Sequence, residues 1–312
     1  MSDQPKYTSI GGQALIEGVM MRGKDKIAIA VRKPDGEIEI KMDEVSSLEK
    51  LAIAKIPFVR GVVNLIGSMI VGVRALTYSA DFYLDEEEKA ADSDFEKKLE
   101  KFFGKHTDDV LMGFSIIVAF LFAGLLFGVL PTLVVSLLKR VTENQILLSF
   151  IEGCMKIVFF ITYISVISRM NDIKRVFQYH GAEHKTIRCY ESGLPVTVEN
   201  ARDFTTLHPR CGTSFIFFVL IISIILFSFI SWNSIITRLL IKLLLLPVVA
   251  GVSYEILKLA GKSDNAIIKA ISKPGMMMQK LTTAEPDDSQ LEVAIAAFNA
   301  VLETMGAEAE PK

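Results

Sequence analysis

The sequence predicts an α-helical polytopic membrane protein with about four transmembrane helices and a small cytoplasmic α+β module that includes an N-terminal β-hairpin. Three observations carry this expectation. Hydrophobic residues make up 51% of the 312, and the mean hydropathy of +0.40 is high for a soluble chain of this length. The apolar excess gathers into runs long enough to cross a bilayer. Between the runs lie polar segments with the alternations and caps of soluble structure.

The same composition excludes disordered, collagenous and disulfide-framework chains. With 34 Lys and Arg against 36 Asp and Glu, the net charge of −2 offers no bulk basicity, so no nucleic-acid partner is expected. Three widely separated cysteines fit a reducing compartment.

Residues 1–56 comprise a glycine-rich segment and a hairpin. Ile27–Val31 and Glu37–Met42 alternate with period two around the turn Pro34-Asp35-Gly36. Gly11–Gly23 ahead of them reads either as a tight turn leading into a strand or as a ligand loop. It lacks the Gly-Lys-Ser/Thr of a phosphate loop. Residues 57–84 are apolar but interrupted by Arg60, Asn64 and Arg74, which suits an interfacial or re-entrant amphipathic helix. Residues 85–109 form an acidic linker, Asp85–Asp94, and a basic pre-membrane helix.

Residues 110–168 hold transmembrane helices one and two. Val110–Leu138 has no charged residue, and Pro131 is expected to kink or end it. Ile146–Ser168 carries Glu152 and Lys156, spaced to pair on one helical face. Residues 213–256 hold helices three and four, Thr213–Ser231 and about Ile235–Ile256. The latter starts with Arg238 and Lys242, expected to snorkel to the interface.

The segment between helices two and three, residues 169–212, holds seven Lys or Arg, and further lysines flank the outer ends of the membrane region. The positive-inside rule therefore puts both termini and the 169–212 loop in the cytoplasm of a multi-pass inner (plasma) membrane protein. No signal-peptide pattern is expected. In the cytoplasmic C-terminal helices, residues 257–312, Lys273-Pro274-Gly275 predicts a break and Met276–Met278 an apolar patch, for packing or membrane contact rather than metal. Ser289-Gln290-Leu291-Glu292 reads as a capping box ahead of an amphipathic helix bearing Leu291, Ile295, Phe298 and Leu302.

The chemistry concentrates in the 169–212 loop. His180 and His184 stand one helical turn apart with Glu183 beside them, and His208 and Cys211 follow. Imidazole and thiolate suit a divalent transition metal, zinc above all. His-x-x-Glu-His also matches the inverzincin pattern, with Glu183 as general base. The alternative is a structural loop whose histidines cap helices and bind carbonyls. Glu255 at the end of helix four would reach the same side.

Residues 11–23, 179–185, 207–215 and 279–294 together resemble the YqhQ family over roughly residues 7 to 303. This is a bacterial membrane-protein family catalogued as a domain of unknown function and described as a predicted metal-dependent enzyme. Carried over by position, the resemblance points to Glu17, Arg22, His180, Glu183, His184, His208, Arg210 and Cys211.

Two functions follow. One is a metal-dependent hydrolase at the cytoplasmic interface of the bilayer: His180, His184 and His208 or Cys211 hold the ion, Glu183 takes a proton from water, and Arg22 or Arg210 steadies an anionic substrate. The other is a non-enzymatic factor that binds other integral membrane proteins, in insertion or quality control, with the His cluster serving only to tie the loop down. A four-helix transporter is a weaker third reading.

Overall fold

The structure is a computed structural model that describes residues 8–45, 56–83, 107–231, 234–260 and 266–305. The acidic segment 85–94, the lysines preceding residue 107 and His106 lie outside the described residues. The chain divides into two compact units: residues 1–82, 163–222 and 246–312 form one, and residues 83–162 with 223–245 form the other.

The first unit is built on a four-stranded antiparallel meander, β1 Gly11–Leu15, β2 Gly18–Arg22, β3 Lys26–Arg32 and β4 Ile38–Glu44, in that order across the sheet. The expected hairpin is β3–β4, with Ala30 opposite Ile40 and Gly36 at φ 91° in the turn. The glycine-rich run is a second hairpin, β1–β2, reversed through Ile16-Glu17 with Glu17 at φ 48°. Both faces of the sheet are covered. On one, Val19, Met21, Ala28 and Ala30 pack with Tyr179 and Ala182 of α5 (Asn171–Glu191) and with Leu291, Ala294 and Phe298 of α10 (Asp288–Met305). On the other, Leu15, Ile27, Ile29 and Val31 pack with Ala75 of α1 (Val59–Ala80). Strand β3 therefore alternates large toward α1 and small toward α10, where the alanines let the helix approach.

Helix α10 docks on the sheet as its apolar spacing predicts, but its cap lies two residues earlier than expected. The Asp287 carboxylate accepts from the Gln290 N–H at 3.0 Å, and the Gln290 side-chain oxygen accepts from the Asp287 N–H at 3.0 Å. Partial burial pushes the Asp287 carboxyl upward, yet the Ser289 hydroxyl and the Gln290 amide outweigh it and hold it below its ordinary value. The ionised cap is complete at neutral pH and is lost as pH falls through that lowered value. Asp287→Ala is expected to lower stability by about 1 kcal/mol, read as a fall in melting temperature in detergent, and an unchanged melting temperature would show that the cap carries nothing.

Residues Ala266–Thr282 form one helix, α9, with Pro274 inside it, where a break was expected. Gly275 keeps the backbone close to Ser214, whose Cβ would lie 3.1 Å from an added methyl group. This contact supports the turn that the proline weakens.

Among the described residues, four helices are long and apolar enough to cross a membrane: Val59–Ala80, Val110–Arg140, Gln145–Ile167 and Ile235–Leu259. The number agrees with the expectation, but the membership differs. Helix α7, Gly212–Ser228, has 17 residues, about 25 Å of rise, short of the roughly 30 Å hydrocarbon core. Helix α1 qualifies by length and composition, although Ala75, Val71, Tyr78 and Phe82 toward its C-terminal end cover the sheet.

In the second unit, α2 (Thr107–Ala123) continues through a π-helical segment, Gly124–Val129, into α3 (Leu130–Ser136) and a closing 3-10 turn, Leu137–Arg140. Pro131 thus neither ends the helix nor stands in an unbroken one. The widened turn before it takes up the missing N–H, and Pro131 sits in the first turn of α3.

The same unit holds a buried charge cluster. On α4 (Gln145–Ile167), Lys156 Nζ lies 2.9 Å from Glu152 Oε1, the expected pair. Arg238 and Lys242, on α8 (Ile235–Ala260), are not snorkelling: they are 1% and 6% exposed. Arg238 donates to Glu152 Oε2 at 2.9 Å and to the Ser149 hydroxyl at 3.0 Å. Lys242 contacts the Glu152 carboxylate and donates to Thr132 at 2.9 Å. A carboxylate already in place draws these cations inward more strongly than a distant interface draws them out.

Candidate functional site

The site is assembled in the first unit from α5, the stretch 203–211 that follows the short helix α6 (Val198–Arg202), and the start of α7. Helix α5 is separated from α4 by a break at Arg169-Met170 and presents His180 and His184 one turn apart. Gly181 lies between them because the carbonyl of Ala284 crosses the helix there: an added Cβ would meet that oxygen at 2.2 Å. The Ala284 N–H donates to the Phe177 carbonyl at 2.9 Å, which fixes the crossing strand of chain. The glycine that weakens the helix is thus the one that lets it pack.

Each imidazole has its Nδ1 committed to a backbone carbonyl, His180 to Thr282 at 2.8 Å and His184 to Thr206. A carbonyl only accepts, so Nδ1 carries the proton and the Nε2 lone pair faces the site. His180 Nε2 lies 3.2 Å from Cys211 Sγ. The ligand atoms of His180, His184 and Cys211 all lie within 4.8 Å of one another. Adjacent nitrogen and sulfur ligands of a tetrahedral zinc stand about 3.5 Å apart, so the donor set fits such an ion with small adjustment.

Glu183 Oε2 stands 3.9 Å and 4.0 Å from the two Nε2 atoms, close to the set without touching it. The Glu183 side chain is held against the sheet, where Gly12 leaves room for it: a Cβ at Gly12 would meet Glu183 Cγ at 2.9 Å. His208 packs beside His184, ring centroids 5.5 Å apart, outside the cluster of three. Burial lowers its pKa from 6.5 to about 4, which keeps the ring neutral. Its Nε2 is buried and has no hydrogen-bond partner among the described residues.

Arg210 donates to the Thr8 carbonyl at 3.0 Å and pairs with Glu191, so it ties the chain before β1 to the end of α5. Glu17 and Arg22 lie elsewhere. Glu17 pairs with Arg175 and accepts from the Tyr179 hydroxyl at 3.1 Å, while Arg22 lies near Ser68 beside a smaller hollow of about 280 Å³. Glu255 does not reach the histidines either: it pairs with Arg60 of α1 and accepts from the Phe58 N–H.

Two contributors are absent from the sequence reading. Gln279 of α9, fully buried, accepts from the His208 N–H at 2.8 Å and donates to the His208 carbonyl at 2.7 Å, clamping that loop. Glu191 accepts from Arg210 and from the Thr8 N–H and stands 3.6 Å from His208 Nε2. A glutamine opening the 279–294 motif inside an amphipathic helix was the signal available for the first. For Glu191 no local pattern existed.

The cluster opens on a cleft of about 850 Å³, lined by residues 8–14, by His180, Glu183, His208, Arg210 and Cys211, and by apolar groups that include Phe177, Ile216 and Leu257.

A family model described as "Protein of unknown function (DUF1385)" matches residues 56–304. The chain is 36% identical over 305 residues to the uncharacterized protein YqhQ of Bacillus subtilis (strain 168), covering 97% of this chain and 95% of the relative. No solved structure matches. With apolar helices fit to span a bilayer, a four-stranded sheet and a match along nearly its whole length, the chain belongs to the YqhQ family of membrane proteins of unknown function.

Proposed function

We propose that this protein is a metal-dependent hydrolase of the inner (plasma) membrane whose site faces the cytoplasm. The observation that carries the reading is the His180, His184 and Cys211 donor set, with both Nδ1 atoms held by carbonyls and a carboxylate about 4 Å from both Nε2 atoms. Three ligands with an unligated acid beside them leave a position open for reaction, whereas an ion with a purely structural role is closed by four. A divalent transition ion, zinc by its ligands, would supply Lewis acidity and lower the pKa of water.

The chain's own residues do the rest. Glu183 accepts a proton from the attacking water and returns it to the leaving group. His208, neutral at pH 7, packs beside His184 without adding charge. Arg210 on the cleft wall steadies negative charge while holding Glu191 and Thr8. The cytoplasmic orientation rests on the seven basic residues of 169–212. In the non-enzymatic alternative the cluster only ties down the 169–212 loop, where a structural ion would be closed by a fourth ligand; the place of His208 outside the three-residue cluster favours the catalytic reading.

Metal content of detergent-purified, untagged protein tests the reading. About one transition ion per chain is expected in the native protein, with near-complete loss in His184→Ala and in Cys211→Ser. Folded native protein that holds no ion after zinc supplementation would overturn it.

A further inference from the structure

We propose that the substrate of this site is a polypeptide, bound in extended form as a fifth strand on the open edge of β1. The proposal rests on the metal-dependent hydrolase reading and names its substrate class.

Among the described residues strand β1 has one neighbour, β2, so its other side is an edge of the sheet. The two-residue reversal at Ile16-Glu17 makes Leu15–Gly18, Gln13–Met20 and Gly11–Arg22 the hydrogen-bonded pairs of the hairpin. The N–H and C=O groups of Gly12 and Ala14 therefore point away from β2. Among the described residues no group bonds to them. Gly12 is exposed and Ala14 half-buried, so the edge is accessible. Among the described residues, an added Cβ at Gly11 would meet nothing within 4 Å, so none of their side chains stands over the start of the strand.

This edge lies at the candidate site. Residues 8–14 line the same cleft as His180, Glu183 and Cys211, and Gly12 touches the Glu183 side chain. A docked strand would thus run past the general base. The two outward residues are two positions apart, about 6.8 Å along the strand. An extended peptide repeats its donors and acceptors at that interval, and a lipid or a phosphate ester does not. The apolar lining from Phe177, Ile216 and Leu257 accommodates the alternate side chains.

The reaction is hydrolysis of one peptide bond. Water oxygen forms the new bond to the carbonyl carbon, Glu183 takes the water proton, the C–N bond breaks, and the proton passes to the departing amine. Peptide and water are the only reactants; the new carboxylic acid gives its remaining proton to the amine, so a carboxylate and an ammonium group are the products.

The test uses full-length, zinc-loaded protein in detergent and dye-labelled casein, an unfolded polypeptide. Native protein is expected to cleave it, and Glu183→Gln to bind it without cleavage, read by anisotropy. Adding Ala14→Pro to Glu183→Gln removes an outward N–H that β2 does not use, so zinc content and melting temperature should hold while casein affinity falls at least tenfold. A casein-derived decapeptide N-methylated at alternate amides should compete at least tenfold less well than its unmethylated form. That arm leaves the protein untouched and decides the matter if Ala14→Pro fails to fold.

Zinc bound with no casein binding or cleavage would overturn the polypeptide substrate while leaving the hydrolase reading intact. So would hydrolysis of bis(p-nitrophenyl) phosphate without casein cleavage. Equal binding by the N-methylated and unmethylated peptides would overturn docking on the strand edge, and protein that takes up no zinc would overturn both this proposal and the reading beneath it.

Discussion

Under the proposed hydrolase function, Glu183→Gln is expected to bind as much zinc as the native protein and to lose turnover by about 10²–10⁴-fold, the usual contribution of a positioned general base. The amide has the shape of the carboxylate and leaves the Gly12 contact in place, but it accepts no proton. The three candidate ligands are other residues, so metal content should match the native protein, and metal analysis with casein cleavage on one preparation reads both quantities. Loss of zinc together with activity would make Glu183 a ligand. Retention of full activity would remove it from the chemistry.

Glu152→Gln should be among the most damaging single changes in the membrane region. The carboxylate faces Lys156, Arg238 and Lys242, each less than 10% exposed, so neutralising it removes the one counter-charge that all three buried cations share among the described residues. Removing one partner of a buried pair typically costs about 3–5 kcal/mol, and here one acid serves three bases. The variant should accumulate poorly in membranes and melt well below the native protein in detergent. A melting temperature within about 2 °C of native would show that the cations are satisfied by the hydroxyls and carbonyls around them. Because the cluster lies in the second unit, outside the candidate site, any surviving Glu152→Gln protein should still bind zinc.

Much of this architecture is legible from neighbouring residues. Long apolar runs declare themselves by composition, and His180 and His184 by a spacing of four. Strand β1 does not: Gly-Gly-Gln-Ala-Leu has no β-branched or aromatic residue, and only pairing with β2 makes it a strand. Arg238 and Lys242 show the same limit from the other side. A cation near a helix end looks like a snorkelling one until the acid on another helix is known, and Glu152 lies 86 positions from Arg238. Within the candidate site, the His and Cys side chains were readable but the carbonyls of Thr206 and Thr282 that face both imidazoles were not, since every residue has a carbonyl. His208, His180, His184 and Cys211 formed one undivided candidate set in the sequence. Packing separates the first from the other three.

The sheet's two covers come from opposite ends of the chain, and this sets a timetable for synthesis. Strands β2 and β3 are made early, yet Phe298 and Val301, which close one face, follow Met21 by about 280 residues. At roughly 5–20 residues per second, the ribosome needs about 15–55 s to supply them. Through that interval Val19 and Met21 present an apolar surface while the membrane helices are being inserted. Nascent chains of this protein should therefore engage holding chaperones until α10 emerges, and a ribosome stalled before residue 288 should display a sheet that proteases still cut.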